Sequence, residues 1–231
     1  MSDSTPLRAA HQRLPALLIG GTALLEVVLV THHPVAPRGG EGGVPFGGIQ
    51  AVMDANLGFH ALLMVILAGQ LLGLVLFARL LGLNRPIVLV GLVFCTLAGV
   101  MLTVAMTFDG FVTYELISAC AASAEGCTPA TGQSLRLISA AIQSFTKLGF
   151  GAQCLGFAAL GFGLWGIGGR IRLAAVACVA LALSPIVLIV LGGRVGPSQL
   201  TQILVVLAAW GLCVAVTIGL RSLRERGSST V

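Results

Sequence analysis

The sequence predicts an all-α polytopic membrane protein with six transmembrane helices in one bundle and both termini in the cytoplasm. Three observations carry this prediction. Of 231 residues, 57% are hydrophobic and only 9% charged, with a mean hydropathy of +1.02; a soluble domain carries about 25% charged residues. The apolar residues fall in runs of the length, about 20 residues, that crosses a bilayer as a helix. The basic residues fall between those runs with a marked sidedness.

The first span covers 14–31. It reads as a retained anchor rather than a cleaved signal. It is longer than the usual h-region, it contains Glu26, and His32, His33 and Pro34 follow it where a small-residue cleavage site would stand. Residues 34–52 hold Pro34, Pro37, Pro45 and six glycines, and read as an irregular outer loop. The second span, about 57–78, carries Gly69 and Gly73 at the small-xxx-small spacing. The third covers about 87–108. An outer link over 109–134 comes next. Its part from Phe111 to Ala122 has a helix-compatible composition, and the pattern of the fourth span starts early, at Leu135. Spans three and four are therefore expected to project as a helical hairpin.

The fourth span, 148–167, contains Gly149, Ala152, Gly156, Ala159, Gly163 and Gly166 at spacings of three and four. Glycine weakens a helix, so a continuous small seam implies close packing, since small residues let helix backbones approach in lipid. The seam serves either a neighbouring helix of the chain or a partner helix in a homo-oligomer. The fifth span, 173–191, holds Ser184 and Pro185, a place where transporters break a helix at their site. The sixth covers 200–220. All must be helices, because each backbone polar group in lipid needs an internal partner; the alternating pattern of a barrel is absent. No sizeable soluble domain remains, so the chain is a single domain.

Nine arginines (Arg8, Arg13, Arg79, Arg85, Arg170, Arg172, Arg221, Arg224 and Arg226) fall on one side of this six-span arrangement. Arg38, Arg136 and Arg194 fall on the other, and Lys147 lies within a helix. The bias places both termini inside. The net charge of +5 is thus a topology signal, and the partner it implies is the lipid bilayer rather than nucleic acid. Twelve arginines against one lysine also fit a GC-rich bacterial genome, and hence the inner membrane.

Cys95, Cys154, Cys178 and Cys213 lie in spans and read as small apolar fillers. Cys120 and Cys127 lie in the outer link, on an oxidising side, and are expected to form a disulfide.

Ionisable groups inside a membrane are costly and are functional candidates by default. Glu26 and His33 share a face of span one, His60 and Met64 lie on span two, Asp109 ends span three, and Lys147 sits on span four. At 1.5 Å per residue, the histidines, Asp109 and Lys147 fall near the outer boundary, with Glu26 about 8–11 Å deeper. The result is a polar layer at the outer ends of helices 1–4. Its candidate ligand or ion-pair residues are Glu26, His33, His60, Asp109 and Lys147, with Glu26 and Lys147 expected to pair. Histidine, methionine and carboxylate also bind transition metals, which adds His32, His33, His60 and Met64 as a metal set; two histidines would alternatively ligate haem axially. Nucleophile-elbow, phosphate-loop and zincin motifs are absent, so an enzyme is the less favoured class. The favoured reading is an outward-facing site for a small ligand or ion, with transport in view. The alternatives are an accessory membrane subunit without a ligand and a metal- or haem-binding redox component.

Overall fold

A computed structural model describes residues 5–34, 46–123, 128–169 and 171–227. The elements are helices α1 (Thr5–Thr31), α2 (Phe46–Leu81) and α3 (Pro86–Met106), a π-helical segment (Thr107–Val112), and α4 (Thr113–Ala122). After these come α5 (Pro129–Gly163), a 3-10 turn (Leu164–Ile167), α6 (Ile171–Leu191) and α7 (Pro197–Gly227). No strand occurs among the described residues. Six stretches are long and apolar enough to cross a membrane: Arg13–Thr31, Ala51–Leu81, Pro86–Ala122, Pro129–Ile167, Ile171–Leu191 and Pro197–Leu220. The chain is a multi-pass helical protein, as its composition predicts.

The link between the first two spans is shorter than expected. Helix α2 begins at Phe46, inside the segment read as loop 34–52. The described part of 109–134 is largely helical, as its composition predicts, since α3 runs through the π segment into α4, and α5 starts at Pro129, a few residues earlier than the pattern from Leu135. Gly47 and Gly48 lower helix propensity but do not forbid helix when a long apolar continuation lies beyond them. Thr128 caps α5 by accepting from the Thr131 N–H, with proline at the first helical position.

The small-residue seam of α5 faces inward, chiefly onto α3. A Cβ on Gly156 would stand 2.9 Å from both the Cys95 nitrogen and the Gly91 carbonyl oxygen, and one on Gly91 would stand 2.8 Å from Leu160. Backbone meets backbone at this crossing, so only glycine fits. Gly149 meets Leu102, and Gly163 meets Leu81 and Val88, along the same line. In lipid, dispersion and close approach replace the hydrophobic effect between helices; hence the seam is spent within the chain. Gly73 plays the same part between α2 and α1, against Leu18 and Ile19.

Helix α6 runs unbroken through Pro185. The carbonyl that Pro185 leaves without its usual partner, that of Leu181, accepts the Ser184 hydroxyl at 3.1 Å. The expectation of a discontinuous helix there is corrected: the serine next to the proline repairs the ladder.

Toward the termini the interior is apolar and deeply buried. Ile19, Leu74, Phe77, Phe157, Leu160 and Trp210 are essentially inaccessible. The Phe157 and Trp210 rings stack at 3.8 Å. The opposite end of the bundle holds the polar groups.

Candidate functional site

At the end of the bundle remote from the termini, α1, α2, α3, the π segment, α5 and α7 surround a cavity of about 130 Å³. Its mouth is polar and its walls are apolar. Glu26, His33, His60, Met106 and Asp109 line it together with Leu63, Leu67, Leu102, Phe150 and Gln153.

The mouth carries a cluster of side chains that could hold a metal ion. One ring nitrogen of His33, one of His60 and a carboxylate oxygen of Asp109 all lie within 4.8 Å of one another. Each comes from a separate piece of chain. His33 stands just past the end of α1, where its ring packs edge-on against Phe59, with centroids 4.6 Å apart. His60 is on α2 and is only 4% exposed. Asp109 is on the π segment. A π turn inserts one extra residue per turn and re-aims the side chains beyond it; such turns concentrate at functional sites. Here the turn presses Gly110 onto His60, where a Cβ would stand 2.7 Å from the His60 Cβ. Asn56 fixes the same junction by donating to the Asp109 backbone carbonyl at 3.2 Å.

The hydrogen bonds decide which nitrogens are left. His60 Nδ1 lies 2.9 Å from the Asn56 carbonyl oxygen, and His33 Nδ1 lies 2.8 Å from that of Pro34. A carbonyl only accepts, so each Nδ1 carries the proton and Nε2 is the remaining nitrogen on each ring. His60 Nε2 faces Asp109 Oδ2 at 3.2 Å. A lone pair and a carboxylate do not sit that close unless a cation joins them, either a proton on Nε2 or a metal ion. The His33 imidazole is held below its ordinary value of 6.5, first by burial and then by the neighbouring His60. A lowered value keeps it neutral, the form that binds a metal.

The floor of the cavity is a buried polar chain. Gln70 Nε2 donates to Glu26 Oε2 at 3.2 Å, and Gln153 Nε2 donates to Gln70 Oε1 at 3.1 Å. All three side chains are under a tenth exposed. Gln153 Oε1 has no hydrogen-bond partner. Gln70 lies about 16 Å from the Leu81 end of α2, and so close to the middle of a core about 30 Å thick. An unmet buried acceptor costs roughly 1–3 kcal/mol, and Gln153 is among the residues that line the cavity.

The structure brings together Glu26, His33, His60 and Asp109 and leaves out Lys147. Glu26 is bonded to Gln70, whereas Lys147 donates to the Gly193 carbonyl in a separate groove; the expected Glu26–Lys147 pair is corrected. Helix α5 turns Lys147 toward the α6–α7 turn instead of the bundle axis. His32 is exposed, with Nδ1 on the Val28 carbonyl, and Met64 does not line the cavity, so neither joins the cluster. Asp109 completes it. Sequence reasoning missed Asn56, Gln70 and Gln153; uncharged amides inside apolar runs were the available signal. Cys120 is buried, and Cys127 lies outside the described residues. No family model, characterised protein or solved structure matches the chain.

Proposed function

We propose that this is a membrane protein with an outward-opening cavity whose mouth binds a divalent transition-metal ion and whose interior admits a small ligand. The observation that carries it is the shared commitment of both Nδ1–H groups to backbone carbonyls. That pattern fixes the tautomer of metal-ligating histidines, and here it leaves Nε2 on each ring uncommitted, with one nitrogen of each ring and an Asp109 carboxylate oxygen within 4.8 Å of one another. Two donors about 2.0–2.1 Å from a tetrahedral zinc stand roughly 3.3 Å apart; the His60–Asp109 separation of 3.2 Å already meets this. His33, half-buried beyond the end of α1, is the ligand with room to close. Two imidazoles and one carboxylate suit zinc or ferrous iron, with open positions for a ligand.

The nine-to-three arginine bias supports cytoplasmic termini and a mouth on the outer face of a bacterial inner membrane. A metal ion is favoured over haem by size. A cavity near 150 Å³ holds one benzene ring, so about 130 Å³ has no room for a four-ring macrocycle. A bound molecule would meet the metal at the mouth, apolar walls midway, and the Gln153 acceptor beside Glu26 at the floor. The class this fits is a small, ring-sized molecule with a hydrogen-bond donor at one end. Zinc titration of the purified full chain by calorimetry tests the proposal. One zinc per chain, with at least a hundredfold weaker binding in His60→Gln, supports it; no saturable binding by the unaltered protein overturns it.

A further inference from the structure

A second site lies outside the cavity. Helix α5 and the α6–α7 turn enclose a groove of about 420 Å³ lined by Arg136, Ser139, Gln143, Lys147, Gly193 and Arg194. Three of these residues are cationic and none is acidic. Arg38, Arg136, Arg194 and Lys147 are the only basic residues that the sequence assigns to this end of the bundle or to the membrane beneath it. Three of the four converge on one groove, although the rest of this end is nearly free of positive charge.

The groove is built rather than incidental. Ser139, Gln143 and Lys147 are four residues apart and share a face of α5. Gln143 Oε1 accepts from the Val195 N–H at 2.8 Å, and its Nε2 donates to the Val195 carbonyl at 3.1 Å. Lys147 donates to the Gly193 carbonyl, and Arg194 donates to the Ser139 hydroxyl at 3.0 Å. The turn is thus clamped onto α5, and every partner of the cations is neutral. Among the described residues Arg136 has no hydrogen-bond or ion-pair partner. Both arginines keep most of their guanidinium donors unspent, in the planar geometry that suits phosphate.

The surroundings identify the source of the anion. Leu137 comes after Arg136, Leu148 after Lys147, and Val190 and Leu191 lead into the turn; all four are strongly exposed. Apolar side chains against a cationic cleft, at the end of a membrane-spanning segment, match a phosphate joined to acyl chains. We propose that this groove binds the phosphodiester headgroup of an anionic phospholipid. The inference does not depend on the metal site.

The test uses the full chain in neutral detergent, with phosphatidylglycerol, diacylglycerol of the same acyl chains, and inorganic phosphate as probes, read by native mass spectrometry. Saturable retention of phosphatidylglycerol, without retention of diacylglycerol, is expected. The double variant Arg136→Ala with Arg194→Ala should weaken it at least tenfold. The control Arg13→Ala with Arg79→Ala removes equal charge from exposed positions at the other end and should retain it. Equal lipid retention by the groove variant and the unaltered protein overturns the proposal, as does equal loss in the control. Displacement of the lipid by an equal concentration of inorganic phosphate overturns the lipid assignment. Circular dichroism and elution volume establish that both variants fold.

Discussion

His60 Nε2 lies 3.2 Å from Asp109 Oδ2 while His60 Nδ1 donates to the Asn56 carbonyl, and Asn56 in turn donates to the backbone carbonyl of Asp109. The three residues close a ring between α2 and the π segment. The carboxylate is therefore presented to a histidine whose other nitrogen is already used. Asn56→Leu should break the ring without removing a ligand. We expect zinc affinity to fall 10- to 100-fold, the range for loss of an outer-shell partner, as read by calorimetric titration. Unchanged affinity would show that the ring does not orient the site.

Acid should weaken the fold, and with it the proposed metal binding, through His33. Its folded value is lowered from 6.5, so the unfolded chain binds the proton more readily. The stability this group contributes is complete above 6.5 and is lost as pH falls through the lowered folded value. Thermal unfolding in detergent should show a midpoint that declines below about pH 6.5, and His33→Gln should flatten that decline. A decline of the same size in the variant assigns it to another group.

Glu26 and Lys147 should behave as independent groups, because each has its own partner in a different site. The unfolding losses of Glu26→Gln and Lys147→Met should sum in the double variant to within about 0.5 kcal/mol. A double variant more stable than that sum would restore the direct pair.

The polar floor should be sensitive at its middle member. Gln70→Leu leaves Glu26 and Gln153 each without a hydrogen bond, at a cost of about 1–3 kcal/mol. Stability measured by denaturant unfolding should fall by that amount, and more than in Gln70→Glu, which keeps an acceptor for Gln153. An equal loss in both variants would show that packing volume and not the chain of amides matters there.

The disulfide is retained as a proposal. Cys120 is buried in the last turn of α4 and is not among the free thiols of the described residues, which are Cys95, Cys154, Cys178 and Cys213. Unreduced protein should lack thiol reactivity at Cys120 and Cys127 by peptide mass spectrometry and regain it on reduction. Alkylation of both without reductant contradicts the pairing.

Much of this fold was legible because the membrane leaves few choices. Apolar runs of bilayer length must be helices, and the six spans result from them. The seam from Gly149 to Gly166 was legible as close packing, but its partner was missed. That partner is α3, where Gly91, Cys95 and Gly99 stand four residues apart and offer the matching small-residue spacing, a signal that was passed over. The ligand trio was half legible. His33, His60 and Asp109 stand out as ionisable groups at helix ends, yet their convergence depends on a π turn that no spacing announces. The Glu26 partner was misread because charge was sought to answer charge. In the structure two neutral amides share the burden, and Lys147 turns outward onto a backbone carbonyl.

X-ray absorption at the zinc edge of the loaded protein tests the central claim most directly. The expected spectrum has a first shell of nitrogen and oxygen donors at about 2.0–2.1 Å with the outer-shell scattering of two imidazoles, reduced to one imidazole in His60→Gln. A shell containing sulfur at about 2.3 Å, or one with no imidazole scattering, would contradict it.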